Sequence, residues 1–161
     1  MKNVIAVIVF SLLWIMSQGQ ITDSVVTLPT VTITSQPMVN AALDRSFLKK
    51  FPHAEDVVWS RLDKDYLARF MQNDLKHQSL FKKNGFLRYD ITYMPEPTLP
   101  FAMRQKIARA YDAYKIVHGA RIRRADQDFW IVNLESLTTY VVLRVENGDL
   151  EEVRRMTKAA P

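Results

Sequence analysis

An internal duplication restricts this chain more than any other feature. Two Asn-Gly dipeptides, Asn84-Gly85 and Asn147-Gly148, stand 63 positions apart, each between runs that alternate apolar and polar residues. Asparagine and glycine both tolerate the positive φ that a type I′ turn demands, so each dipeptide marks a β-hairpin. Sliding one half onto the other by 63 positions sets Asp63 on Asp126, Asp65 on Asp128 and Tyr66 on Phe129. It also sets Leu80 on Leu143 and Leu87 on Leu150. Two copies of one supersecondary unit are expected.

Each copy opens with a helical pattern. In 40–51, Leu43, Phe47 and Phe51 recur every fourth residue and Leu48 widens the stripe. Asn40 suits the N-cap, and Pro52 ends the helix by disfavouring a helical residue before it. A second helix opens at Leu99-Pro100 and runs to about Tyr114, with Met103, Ile107, Ala110, Tyr111 and Tyr114 on its apolar side. The helices do not keep the 63-residue spacing. Phe51 matches Tyr111 better than Tyr114, which implies a few extra residues after the second helix. Strands are expected at 57–61, 66–71, 75–81 and 86–93, and again at 121–124, 129–134, 138–145 and 150–156. A helix followed by three or four antiparallel strands, stated twice, is an α+β pattern.

The N-terminus reads differently. One lysine, an apolar run from 4 to 16 and the small residues Ser17 and Gly19 form the tripartite pattern of a secretory signal peptide. Thirteen residues are too few to span ~30 Å of hydrocarbon, which takes about 20. The expected organisation is a signal segment at 1–19, an extended Val/Thr-rich tail at 20–39, and repeat units at 40–97 and 98–158. The expected location is therefore the periplasm or the extracellular space, with no membrane-spanning segment after cleavage. Pro29 and Pro37 restrict the tail to an edge strand or a tether. Cysteine is absent, so thiolate zinc sites, disulfides and cysteine nucleophiles are excluded.

The segment FLKKFPHAEDVVWSRLDKDYLARF, followed by LFKKNGFLRYD, resembles the opening of exported bacterial proteins described as PepSY-like or β-lactamase-inhibitor-protein-like (BLIP-like). The matching positions are Phe51-Pro52, Ala54, Val57, Trp59, Tyr66, Ala68, Phe70 and Asn84-Gly85. The second unit departs from the pattern, with Tyr111-Asp112 in place of Phe-Pro and Asn133 in place of the last aromatic. The resemblance implies a single curved antiparallel sheet with both helices on one face. It supplies no catalytic residues, and it implies an envelope or extracellular enzyme as the class of target.

Chemistry-bearing motifs are sparse. His53, His77 and His118 lack metal-ligand spacing and read as surface histidines. The Asp63/Asp65 and Asp126/Asp128 pairs lack the glycine and distal glutamate of a calcium loop and read as turn residues. No nucleophile elbow, phosphate loop or dinucleotide fingerprint occurs. No enzyme activity, cofactor or metal is expected.

Strand parity then locates a binding face. Tyr66, Ala68 and Phe70 should face the helices with Val57 and Trp59, and the repeat carries this to Ile122, Phe129 and Ile131. The open face would present Leu67, Arg69, Met71, Arg121, Arg123, Trp130, Val132, Val142, Tyr140 and Arg144. Trp, Tyr, Met and Arg are enriched at interface cores, so the expected partner is a protein. The competing reading is an anionic polymer or lipid head group held by Arg121, Arg123, Arg124, Arg144, Arg154 and Arg155. The net charge is +5, or +4 without Lys2, which is modest for a polyanion binder, and nucleic acid is not an expected partner.

Overall fold

Asn40 starts the first helix as its chemistry predicts. Its side-chain oxygen accepts from the backbone N–H of Ala42 and Leu43 at 3.1 and 2.9 Å, and α1 spans Ala41–Lys50. Phe51 ends it in a non-helical conformation, as expected before Pro52. The second helix, α2, spans Phe101–Ala110 and is shorter than its pattern implied. It stops at Tyr111, whose N–H bonds the Ile107 carbonyl as Phe51 bonds Phe47. The computed structural model describes Thr34–Ser35 and residues 38–159. The expected signal segment and most of the tail lie outside the described residues.

The strands are β1 (Thr34–Ser35), β2 (Glu55–Leu62), β3 (Asp65–Gln72), β4 (Leu75–Lys82) and β5 (Leu87–Pro95). The second set is β6 (Lys115–Arg124), β7 (Asp128–Glu135), β8 (Thr139–Glu146) and β9 (Asp149–Thr157). They form one open antiparallel sheet in which spatial order follows chain order. Both helices pack on the same face. The two units join where β5 pairs with β6, from Tyr89↔Arg124 to Pro95↔His118. The tail contributes β1, paired antiparallel with β2 through Thr34↔Arg61 and Ser35↔Ser60. This part of the tail therefore docks on its own sheet.

The core beneath each helix is built differently. Under α1, Phe47, Phe51, Phe70 and Phe81 are buried, and Trp59 packs against them. Phe47 meets Phe70 and Trp59 edge-on at 5.1 Å between ring centroids, a favoured aromatic geometry. Under α2 the core is aliphatic: Ile107, Val132, Leu134, Val141, Leu143 and Val145. At Gly119 an added Cβ would lie 2.7 Å from a terminal methyl of the buried Leu99 side chain, so a larger residue would have to displace it.

The strand parity of the first unit agrees with expectation, but that of β6 and β7 is inverted. Val132 and Leu134 are buried and Trp130 packs with them, so these residues face the helices. Arg121 pairs with Trp130 and Arg123 with Asp128, which puts both arginines on the helix side too. Ile122, Phe129 and Ile131 take the opposite face. The cause is loop length.

Helix and first strand superpose with an offset of 60, Phe47 on Ile107 and Trp59 on Gly119. The β6–β7 hairpin is longer than the β2–β3 hairpin, and the offset becomes 64, setting Tyr66 on Trp130 and Phe81 on Val145. The β4–β5 turn is also one residue longer than the β8–β9 turn. Lys82 N–H bonds Phe86 O across Lys83-Asn84-Gly85, with Gly85 at φ +85°. Asn147-Gly148 instead forms a two-residue turn with φ of 52° and 83°. The offset returns to 63 only beyond it. One residue of slippage moves every side chain to the other face.

Candidate functional site

Antiparallel partners share a face, so the ladder defines the surface that no helix covers. One row runs Arg69, Gln78, Ile91, Ile122, Phe129 and a second runs Leu67, Leu80, Tyr89, Arg124. Between them lies a depression of about 530 Å³ floored by Leu80, Tyr89, Ile91, Ile122 and Phe129. Lys82, Arg88 and Arg124 fringe it, with Asp126 as the lining carboxylate. Arg144 lies over the Phe129 ring at 4.6 Å and pairs with Glu146 at 2.6 Å. The ion pair and the ring thus together hold the guanidinium over the apolar floor.

Of the ten residues expected on this face, Leu67, Arg69, Met71, Tyr140, Val142 and Arg144 lie there. Arg121, Arg123, Trp130 and Val132 do not. Val132 is fully buried beneath α2. Trp130 is half-buried and lines a cleft of about 390 Å³ between α2 and the β8–β9 turn. Arg121 sits over the indole at 5.5 Å and grips Asp128 bidentately at 2.9 and 2.6 Å. That grip raises the Arg121 pKa and, outweighing partial burial, lowers that of Asp128.

Sequence reasoning missed Ile91, Ile122, Phe129 and Ile131 on the open face. A signal was present. Trp130, Val132 and Leu134 are uniformly apolar, whereas Asn133 interrupts the set of Phe129 and Ile131. The apolar pattern within β7 therefore favours the observed parity over the one that the 63-residue alignment implies.

His77 is buried, not a surface histidine. It stacks on Phe70 at 5.0 Å and joins Ser79, Asp90, Thr92 and Arg123 in a polar cluster between the two cores. Asp90 is the hub. Ser79 Oγ donates to it at 2.6 Å, Arg123 at 2.8 Å and Thr92 Oγ1 at 3.3 Å, while His77 Nδ1 lies 3.4 Å away. Burial alone would raise the Asp90 pKa, but these hydrogen bonds outweigh it and hold the carboxyl at about 2. Serine, histidine and aspartate meet here without forming a nucleophile–base pair, because Ser79 bonds the carboxylate and is fully buried.

The six arginines of the polyanion reading divide between the faces. Arg121, Arg123, Arg144 and Arg155 each pair with a carboxylate. Arg155 also reaches Tyr114 on the helix side, while Arg154 pairs across the ladder with Val142 on the open side. No continuous arginine surface results. Among the described residues, no group of three or more His, Cys, Asp or Glu could hold a metal, and no helix is long and apolar enough to cross a membrane.

No protein-family model matches the sequence, and no curated protein does. Solved structures do. A BLIP-like protein from Bacteroides fragilis superposes with a TM-score of 0.62 at 16% identity, covering 73% of this chain and 89% of that one. A DUF2874 family protein from Bacteroides ovatus gives 0.62 at 16% identity, covering 76% and 89%. Another from Bacteroides uniformis gives 0.58 at 19% identity, covering 73% and 88%. At such identities the likeness establishes architecture: this chain has the α+β fold of the BLIP-like and DUF2874 structures, an open antiparallel sheet with both helices on one face.

Proposed function

We propose that this chain is an exported, non-enzymatic module that binds a protein through the open face of its sheet. The observation that carries the reading is the apolar belt of Leu80, Tyr89, Ile91, Ile122, Phe129 and Ile131 on a face without a helix over it. Such a face is ordinarily polar. A centre of aromatic and branched side chains fringed by arginine and lysine is the composition of an interface core and rim. Leu67, Arg69, Met71, Tyr140 and Arg144 extend it on either side. The likeness in fold to a BLIP-like protein supports an inhibitor-like or regulatory role, and the N-terminal segment supports export to the periplasm or beyond.

Capture of a partner from envelope extract, followed by affinity measurement with purified components, tests the proposal. Phe129→Asp should weaken binding by at least ~2 kcal/mol, the scale of a hot-spot residue. Leu48→Asp, on the exposed side of α1, should leave it unchanged. Binding should survive 0.5 M salt, whereas a polyanion complex would lose affinity steeply. Equal affinity of the Phe129 variant and the unaltered protein would refute the assignment of the face.

A further inference from the structure

A second cleft adjoins the apolar belt, sharing Phe86, Arg88, Arg124 and Ala125 with its depression, and it gathers cations from three separate segments. Lys50 comes from the last turn of α1, Arg88 from β5, and Arg123 with Arg124 from the end of β6. Together they line a space of about 560 Å³ whose lining includes no carboxylate. Its remaining walls are apolar, with half-exposed Phe86 the most prominent. That volume lies within the usual range of small-molecule sites.

Two of the cations are held from behind. Asp65 takes Arg88 Nε at 2.7 Å, and fully buried Asp90 takes Arg123 Nη2 at 2.8 Å. Both arginines still have nearly half of their side-chain surface exposed. Arg123 Nε and Nη1 have no hydrogen-bond partner among the described residues, and neither Lys50 nor Arg124 belongs to an ion pair there. Lys50 and Arg124 stay without a counter-charge beside the two paired arginines, and a guest that brings negative charge relieves their repulsion. Guanidinium forks also match the oxygens of carboxylates and phosphates in pairs.

We infer that this cleft binds a small polyvalent oxyanion, phosphate or carboxylate in chemistry, with Lys50, Arg88, Arg123 and Arg124 as its ligands. Asp90 acts as the positioning residue for Arg123. The probes are inorganic pyrophosphate and citrate, titrated separately into the mature protein at low ionic strength and followed by calorimetry and amide NMR. One of the two should saturate with a Kd below about 1 mM and shift the amides of residues 85–88 and 123–125. Which of them binds more tightly distinguishes phosphate from carboxylate recognition. The double variant Lys50→Gln/Arg124→Gln removes only charges outside ion pairs, and it should weaken binding at least about tenfold. Its melting temperature should stay unchanged, while Arg109→Gln on the exposed side of α2 should bind normally. Saturation by neither probe up to about 10 mM would overturn the inference. So would undiminished affinity in the double variant.

Discussion

Replacing Asp90 by asparagine strikes a carboxylate that, alone among those of the described residues, is fully buried, and that ties the two repeat units together. Asp90 is 1% exposed and accepts from Ser79 and Thr92 on neighbouring positions of the sheet and from Arg123 across the β5–β6 junction. Its pKa falls from an ordinary 3.8 to about 2 in the fold. At 1.36 kcal/mol per pKa unit, the folded state favours the charged form by roughly 2 kcal/mol. The amide keeps the shape of the carboxylate but loses its charge, and it turns an N–H₂ toward groups that donate. Arg123 can return partly to water, so the loss should fall somewhat below the roughly 3–5 kcal/mol seen on breaking fully buried pairs.

Urea unfolding at neutral pH should therefore show Asp90→Asn about 2–3 kcal/mol less stable, a midpoint lower by roughly 1–2 M at the slopes usual for small domains. The acid limb supplies an independent check. Because the folded pKa is depressed, this contribution is complete above about pH 4 and disappears as the pH falls through about 2. The unaltered protein should lose roughly 2 kcal/mol over that window through this group, and the variant should lack that part of the slope. Equal midpoints at pH 7, or identical losses between pH 4 and pH 2, would refute the assignment of Asp90 as the hub.

Trp130→Ala should cost about 2–4 kcal/mol by calorimetry, since the indole packs with the α2 core, whereas an open-face tryptophan would cost under about 1. Gly85→Ala should destabilise more than Gly148→Ala in parallel urea titrations. Both adopt positive φ, but a Cβ at Gly85 would stand 2.3 Å from Ser46 Oγ, while nothing lies within 4 Å at Gly148. Gly148→Ala should cost only the left-handed penalty of roughly 1–2 kcal/mol. Asn40→Ala removes the cap of α1 and the bond from its amide to Lys83 O. A loss of about 1–2 kcal/mol, read from the melting curve, is expected.

Local chemistry was legible wherever one residue type answers one backbone need. Asn40 caps, Pro52 stops, and Asn-Gly turns are written in single dipeptides or positions, and each appears in the structure where the residues place it. So was the α1 core. Phe47, Phe51, Tyr66, Ala68 and Phe70 carry periods of 3.6 and 2 that no alternative pairing satisfies. The face of β7 was not legible from the repeat alone. A single 63-residue alignment matched both Asn-Gly turns, yet one is a three-residue loop and the other a two-residue loop. The β6–β7 hairpin adds four residues more. Parity depends on whether a count is odd or even, so a one-residue difference inside a turn moved Trp130 and Val132 inward and brought Phe129 and Ile131 out. The Asp90 cluster was hidden for a different reason. His77, Ser79, Asp90, Thr92 and Arg123 come from three strands, and Arg123 meets Asp90 only because β6 pairs with β5 in that register. Spacing along a chain records what one element does. Which buried charge finds its partner is decided when two elements are brought side by side.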